Sequence, residues 1–413
     1  MRFSIHTMGT RGDMQPYLAL ARGLRARGHE VMIVAPAQFA EMAQAEGVGF
    51  AGMSREFLDL LDSPEVKNVI GKSRAGFGGG FKLLMHYRGL MRGLLDVEWE
   101  AARAFRPDAI LYHAKALGAP HIAGRLNIPS FLASPLPGFT PTAAFPTPIL
   151  PFANLGPLNW PSHSLMIHSA GMIFGGTLAT WREESLGLPR RGKAGPLAGT
   201  LYGYSPHLVP KPTDWGKDVA VTGFWFLDSP DWSPDAELAA FLEAGDAPVY
   251  VGFGSMPGGD PAQLTQVVVE GLRQAGKRGL IATAGGALQR LEGMADMHFI
   301  AGAPHDRLFP LMHATLHHGG AGTTGAALRA GKPMAICPFL GDQPFWARRV
   351  EALGAGPAAL DKRKMTAKDL AGAFRAMEAP AMQQRAAALG TAIRNERGVE
   401  NAMDFIERRM TGR

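Results

Sequence analysis

The residues best suited to chemistry form one short segment, His317–Thr324, which reads HHGGAGTT. An apolar run ends at the two histidines, four small residues follow, and a helix is predicted to begin near Thr323 and to close at Gly331. The free N–H groups and dipole of a helix start favour an anion such as a diphosphate, to which His318 adds a hydrogen bond or a charge. A tight turn with a buried histidine pair stays open as an alternative. A metal site on His317 and His318 is disfavoured, because neighbours on a strand point to opposite faces.

Two further loops are predicted to lie beside this segment. Gly252–Met256 directly follows an apolar strand, and its small residues let the backbone approach a phosphate while Ser255 offers a hydroxyl. The same letters also fit an ordinary turn. Asp342 and Gln343 follow a strand that ends at Cys337, and together they offer hydrogen-bond acceptors and donors for the vicinal hydroxyls of a sugar. Asp342 is equally suited to cap a helix.

Alternating strands and helices must position these loops. Short apolar runs such as Val31–Ala35 and Val249–Phe253 are typical of buried parallel strands, and amphipathic helical segments separate them. The pattern occurs twice, which predicts an α/β protein of two Rossmann-like domains that face each other across a cleft. We place the domains at residues 1–212 and 213–385, and we expect a helix over residues 386–413 that crosses back to the first domain. Ligands of such sheets bind at the carboxyl ends of the strands.

The composition of the 413-residue chain is that of a globular protein, with 46% hydrophobic and 19% charged residues. The apolar runs fall short of the roughly 18 residues of a membrane-spanning helix, and the N-terminus is too polar for a signal peptide. We therefore expect a cytoplasmic protein. One cysteine excludes internal disulfides, and the net charge of +6 without a basic cluster makes nucleic acid the least favoured partner.

Several stretches of the chain resemble inverting glycosyltransferases of the GT-B architecture. The longest reads HHGGAGTTGAALRAGKPMAICPFLGDQPFWARRVEALGAGP, and the others are GTRGDMQPYLALARGLRARGHEV, LGAPHIAGRLNIPSFLASPLPGFTPT, VTGFWFLD and VYVGFGSM. The similarity is greatest to bacterial and fungal sterol glucosyltransferases and to the transferases that glycosylate glycopeptide antibiotics. It covers most of the chain.

The resemblance implies which residues bind a nucleotide-sugar donor. Ser255 assists the diphosphate-binding helix start, Asp342 and Gln343 contact the transferred sugar, and the remaining donor residues are Gly12, Arg307, His318, Gly320, Ala321, Gly322 and Thr323. Plant relatives carry a ribose-binding glutamate where this chain has Ala326, and sterol-type members carry a tryptophan where it has Arg307. These two departures leave the identity of the nucleotide open: UDP is favoured, and dTDP is the alternative.

The resemblance also implies the catalytic residues. Inverting transfer needs a base for the acceptor hydroxyl, and in this family the first loop carries that base, which places Asp13 in the role. Sequence alone leaves Asp13 equally suited to cap the helix that follows. We expect His113, at the end of a later strand, to form a hydrogen bond with Asp13 and tune its pKa. No acidic pair of the Asp-x-Asp kind precedes the donor loops, so no metal ion and no cofactor is expected.

Loops of the first half should form a hydrophobic acceptor pocket for a sterol, terpenoid, carotenoid or polyketide aglycone. Its predicted lining is Phe77, Phe81, Met85, Phe139 and Phe145, although half of such residues commonly fill a core instead. Lys82, Arg88 and Arg92 follow a glycine-rich segment and could rest on the anionic inner face of a membrane.

Two other functions stay open at this point. A nucleotide-sugar epimerase of the same shape would need no aglycone pocket, and the aromatic loops between residues 74 and 161 count against it. A nucleotide-sugar-binding protein without activity would not need Asp13. A dehydrogenase is excluded, because no G-x-G-x-x-G motif opens either half.

Overall fold

The first half of the chain builds a parallel sheet. The computed structural model describes residues 1–54, 56, 77–229, 231–256 and 260–412, with the side chains of residues 77–89 excepted. Within these residues the first sheet has the strand order β3-β2-β1-β4-β5-β6-β7. Its strands are β1 (Arg2–His6), β2 (Glu30–Pro36), β3 (Gly49–Met53), β4 (Ala109–Tyr112), β5 (Ser130–Ser134), β6 (Leu197–Tyr202) and β7 (Val219–Val221).

Helices cover this sheet because the strands are apolar on both faces. Phe3, Ile5 and Ile33 on the strands and Tyr17 and Leu20 on the first helix are all fully buried in one cluster. The helices, numbered within the described residues, are α1 (Arg11–Ala26), α2 (Ala40–Ala45), α3 (Phe77–Phe105), α4 (Ala119–Leu126) and α5 (Asn159–Glu184).

The second half repeats the architecture with a shorter sheet. Its described strands have the order β10-β9-β8-β11-β12, again parallel. They are β8 (Val249–Gly252), β9 (Gly279–Ala282), β10 (Met297–Ile300), β11 (Ala314–His317) and β12 (Met334–Ile336). The predicted α/β protein with two parallel sheets is thus confirmed. No described helix is both long enough and apolar enough to cross a bilayer.

The helices of the second half pack on this sheet and lead the chain back to the first. They are α6 (Ala236–Glu243), α7 (Pro261–Gln274), α8 (His305–Leu308), α9 (Ala321–Arg329), α10 (Gln343–Ala352), α11 (Ala367–Ala376), α12 (Pro380–Arg394) and α13 (Gly398–Thr411). The sequence predicts one helix over residues 386–413, whereas the structure has two helices in this region, α12 and α13. The helix is interrupted at residues 395–397, because α12 packs on α9 of the second half whereas α13 packs on α1.

The last helix is part of the first core. Met403, Phe405 and Ile406 are buried with the strands of the first sheet. Arg27 on α1 forms ion pairs of 2.6 Å with both Asp404 and Glu407. The first core therefore contains residues from both ends of the chain.

We expect Ile406→Ala to lower the free energy of unfolding by about 2–5 kcal/mol, because it leaves a cavity around a fully buried side chain. Urea unfolding followed by circular dichroism measures this change. Arg408→Ala on the exposed face of the same helix is the matched control and should stay within about 0.5 kcal/mol. Equal effects of the two substitutions would show that α13 does not contribute to the first core.

Candidate active site

Two neighbouring loops of the first sheet carry the candidate base. β1 and β4 pair in parallel, with His6 beside Tyr112, so the loops after both strands leave the sheet at the same edge. The loop after β1 leads to Asp13 in the first turn of α1, and the loop after β4 begins with His113. Asp13 and His113 are therefore brought together as the sequence predicts.

Asp13 lies at the start of α1 without being its N-cap residue. Thr10 is the N-cap, and Asp13 Oδ2 accepts its backbone N–H at 2.9 Å. Gly9 makes this packing possible: it has φ +136°, and a Cβ there would lie 2.1 Å from Asp13 Oδ2. The carboxylate thus closes the helix start with one oxygen, while the side chain keeps 19% of its surface exposed.

The predicted hydrogen bond between His113 and Asp13 is not present. His113 Nε2 lies 3.8 Å from Asp13 Oδ1, which is beyond hydrogen-bonding distance. His113 Nδ1 accepts the backbone N–H of Lys115 at 3.2 Å, so the ring proton is on Nε2 and points towards the carboxylate. Burial and the charge of Lys115 lower the pKa of His113 to about 3, so the ring is neutral at physiological pH.

Asp13 forms its ion pair with a residue that the sequence reasoning missed. Lys115 Nζ donates to Asp13 Oδ1 at 2.8 Å. Burial acts to raise the pKa of Asp13, but the charge of Lys115, with smaller contributions from His113 and from hydrogen bonds, lowers it below its ordinary value. Asp13 is therefore ionised at neutral pH. The signal for Lys115 in the sequence was its position two residues after His113.

The predicted anion-binding segment is a helix start with no side-chain cap. β11 ends at His317, Gly320 is the N-cap, and α9 begins at Ala321. The His318 ring lies over this start, since a Cβ on Gly320 would come within 2.7 Å of His318 Nε2. The structure thus brings His318 together with Gly320, Ala321, Gly322 and Thr323 at one edge of the second sheet.

His318 meets a ligand at this position as a neutral ring. Burial lowers the pKa of His318 to about 4, so the imidazole offers a hydrogen bond and not a positive charge. Its neighbour His317 is fully buried, and its Nδ1 accepts the backbone N–H of Gly319 at 3.0 Å. His317 therefore shapes the turn, and His318 faces the helix start.

The remaining predicted phosphate contacts lie on exposed loops. Ser255 is exposed directly after β8, which pairs with β11, so its loop lies beside the start of α9. Gly12 is exposed in the first turn of α1. Arg11 beside it lies close enough to His305 on α8 for its charge to lower the pKa of that ring, after burial. The first turn of α1 therefore faces the donor side of the second domain.

Asp342 and Gln343 differ in what they can offer a sugar. Gln343 is 4% exposed, and its Oε1 accepts the backbone N–H groups of Phe339 and Leu340 at 2.7 and 3.0 Å. It holds its own loop in place. Asp342 is partly exposed, and its Oδ2 accepts the Trp346 indole N–H at 2.6 Å. The structure thus leaves Asp342 the more accessible of the two.

The two halves of the site face each other across the cleft. Burial raises the pKa of Asp342, the charge of Lys115 lowers it and the charge of Asp13 raises it further. Asp13 is on α1, Lys115 is in the loop after β4 and Asp342 is the N-cap residue of α10, and the three act on one another electrostatically. The candidate base therefore lies opposite the loop predicted to bind the sugar.

A cavity of about 360 Å³ opens beside α9. Ala326, the position of the ribose-binding glutamate in plant relatives, lines it together with Arg307 and Arg329. Arg307 is half-exposed and donates to the backbone oxygen of Ser229 at 2.8 Å. Arg329 pairs with Asp228 at the same cavity. The cavity wall combines three arginines, Arg307, Arg329 and Arg394, with apolar residues, and Arg307 stands where the family tryptophan was expected.

The predicted acceptor residues differ in their burial and packing. Phe139 is partly buried in the proline-rich loop. Phe145 is 3% exposed and packs on Phe345 and Trp215, with ring centroids 5.6 and 6.5 Å away, so it joins the two domains and does not line an open pocket. The side chains of Phe77, Phe81 and Met85 lie outside the described residues.

The predicted membrane-facing arginine is already paired. Arg92 forms ion pairs with Asp96 at 3.0 Å and with Glu184 at 2.6 Å. Lys82 and Arg88 have side chains outside the described residues. Arg92 is held against α5 by these pairs, which does not favour the predicted contact with an anionic membrane.

We expect the neutral His113 to make stability depend on pH. Between about pH 6 and pH 5 the unfolded ring binds a proton and the folded ring, with a pKa of about 3, does not. The free energy of unfolding therefore falls as the pH falls through this window. In His113→Gln the slope should be shallower by up to about 1.4 kcal/mol per pH unit. Urea unfolding across this range measures it, and an unchanged slope would show that His113 titrates alike in both states.

Comparison with known proteins agrees with this geometry. Residues 3–145 match the glycosyltransferase family 28 N-terminal domain, and residues 287–398 match the erythromycin biosynthesis protein CIII-like C-terminal domain. Among solved structures, the glycotransferase of kitacinnamycin has a TM-score of 0.72 at 19% identity and covers 99% of both chains. The spinosyn forosaminyltransferase SpnP has a TM-score of 0.71 at 17% identity and covers 100% of this chain and 99% of its own. These neighbours confirm the fold.

Curated relatives extend over nearly the whole chain. Sterol 3-beta-glucosyltransferases UGT80A2 and UGT80B1 of Arabidopsis thaliana are 34% and 33% identical over 98% and 99% of this chain, which spans 64% and 68% of their lengths. The sterol 3-beta-glucosyltransferase of Yarrowia lipolytica is 35% identical over 99% of this chain, which spans 29% of its length. The chain therefore belongs to the family of GT-B glycosyltransferases that includes the sterol 3-beta-glucosyltransferases.

Proposed function

We propose that this chain transfers a sugar from a nucleotide diphosphate sugar, UDP-glucose foremost, to the hydroxyl of a hydrophobic acceptor, with inversion and without a metal ion. One observation carries the proposal. The ionised carboxylate of Asp13 lies close enough to Asp342 for their charges to interact, and the second domain that carries Asp342 also carries the uncapped start of α9 beside His318. A base and an anion-binding helix start are the two parts that such a transfer needs.

The proposed reaction is a single displacement. The acceptor hydroxyl gives its proton to Asp13, and its oxygen attacks the anomeric carbon from the face opposite the diphosphate. The bond between that carbon and the diphosphate oxygen breaks, and its electron pair leaves with the diphosphate. The N–H groups of the first turn of α9 and the neutral His318 stabilise that developing charge. The configuration at the anomeric carbon inverts.

Each Asp13 oxygen has a distinct place in this scheme. Oδ2 is engaged with the Thr10 backbone, whereas Oδ1 is the oxygen that Lys115 reaches from the loop after β4. A carboxylate oxygen has two lone pairs, so Oδ1 can accept the acceptor hydroxyl while it keeps its ion pair. We therefore assign the proton to Oδ1.

The relatives and the cavity beside α9 support the proposed choice of nucleotide and acceptor. UDP is favoured over dTDP, and Arg307 in place of tryptophan would stack on the base. The matched relatives are sterol 3-beta-glucosyltransferases, so a sterol-like alcohol is the first acceptor to test. Because this chain spans about two thirds of the plant relatives and less of the fungal ones, their whole activity is carried over only as part of this proposal.

A mass-spectrometric screen tests the proposal directly. Purified protein is given UDP-glucose, UDP-glucuronate or dTDP-glucose with a panel of sterols, terpenoids, carotenoids and polyketide aglycones. We expect a hexosylated product with at least one pair, and a thermal shift with UDP alone. No product with any donor, together with no thermal shift from UDP or dTDP, would contradict the proposed function.

We expect Asp13→Asn to lower kcat by roughly 10²-fold or more, because the amide cannot take the acceptor proton. Donor affinity should be unchanged, as measured by titration with UDP. Asp246→Asn, at an exposed turn before β8, is the matched control and should keep full activity. His318→Ala should instead weaken the binding of UDP. Near-normal turnover of Asp13→Asn would exclude Asp13 as the base.

A further inference from the structure

We propose that Lys115 is a positioning residue: its ammonium group holds Oδ1 of Asp13 and offsets the repulsion between Asp13 and Asp342 where the two domains meet. The inference rests on the proposed function and extends it to a residue outside the motifs of the family resemblance. It starts from the 2.8 Å contact between Lys115 Nζ and Asp13 Oδ1.

The backbone of Lys115 is fixed by the end of β4. Its N–H donates to His113 Nδ1 at 3.2 Å, and Ala116 N–H donates to the His113 carbonyl oxygen at 2.8 Å, which closes a tight turn. The side chain remains half-exposed and extends from this turn to Asp13. A lysine with a fixed backbone and a free stem can keep its ammonium on Asp13 while a substrate enters. His113 therefore contributes mainly by orienting this turn.

The charges around Asp13 make a cation necessary. Asp342, the N-cap residue of α10, is the carboxylate across the cleft; burial raises its pKa and also acts to raise that of Asp13, which Lys115 lowers overall. On α1 itself, Tyr17 is fully buried and neutral, and Thr10 offers only neutral donors. His113 is neutral as well. In the described part of the chain, the ion pair that balances Asp13 therefore comes from Lys115.

Removal of this cation should have a specific effect on the base. The largest contribution that lowers the pKa of Asp13 would then be lost, so burial would raise that pKa and Asp13 would hold its proton at higher pH. A protonated Asp13 cannot accept the acceptor proton. The loss of activity should therefore grow as the pH falls, whereas a merely structural defect would lower activity at every pH alike.

The experiment compares Lys115→Met, Lys115→Arg and the exposed control Lys368→Met on α11. Sugar transfer is measured as kcat/KM at several values from about pH 5 to pH 8. Between about pH 7.5 and pH 5, we expect the kcat/KM of Lys115→Met to fall by roughly tenfold more than that of the wild type. This corresponds to a rise of about one unit in the pKa of the base. Lys115→Arg should largely restore the wild-type profile, and UDP affinity should stay the same in all variants.

A second readout does not require activity. Urea midpoints of the wild type, Lys115→Met, Asp13→Asn and the double variant form a mutant cycle. We expect Lys115→Met to lower the midpoint in the wild type and to leave it nearly unchanged in the Asp13→Asn background. A pH profile of Lys115→Met that parallels the wild type, or additive midpoints, would overturn the inference. A wild type that transfers no sugar would instead contradict the proposed function, and the cycle would still decide whether Lys115 and Asp13 are coupled.

Discussion

The structure depends first on the parallel pairing of central strands in each half. β1 lies beside β4 in the first sheet, and β8 lies beside β11 in the second. Parallel strands end at the same edge, so the loops that follow them converge without any long connection. In the first half this convergence places Asp13 and Lys115 in contact, and in the second it places Ser255 beside the start of α9. These two pairings position Asp13, Lys115, Ser255 and the start of α9, whereas Asp342 comes from the loop after β12, which pairs with β11.

Burial determines how these groups are charged. The histidines near the cleft, His113 and His318, both lose their positive charge because the protein interior replaces water around them. Asp13 keeps its negative charge because a lysine is within 2.8 Å. The site therefore combines one ionised carboxylate, paired with Lys115, with two neutral histidines. In the proposed reaction, positive potential for the diphosphate comes from the helix start of α9.

The two domains are linked at several places that bear on the site. Arg348 on α10 donates to the backbone oxygens of Pro151 and Phe152 at 3.0 and 3.1 Å, and Arg349 lies over the Phe145 ring. The proline-rich loop of the first domain is therefore attached to the helix whose start follows Asp342. On the other side, α13 returns to α1, whose start carries Asp13. Each half of the site is therefore packed against a segment from the other half of the chain.

The sequence by itself determined the parallel α/β architecture and the helix start at His317–Thr324, because strand periodicity, small residues and helix starts are local signals; Asp13 was proposed as the base on the family resemblance. Tertiary structure decided the rest. Asp13 pairs with Lys115 and not with His113, because Lys115 Nζ lies 2.8 Å from Asp13 Oδ1 whereas His113 Nε2 lies 3.8 Å away. The turn after β4 determines this difference. Tertiary structure also enclosed Phe145 between domains and broke the last helix in two, because packing partners distant in sequence determine burial and helix ends.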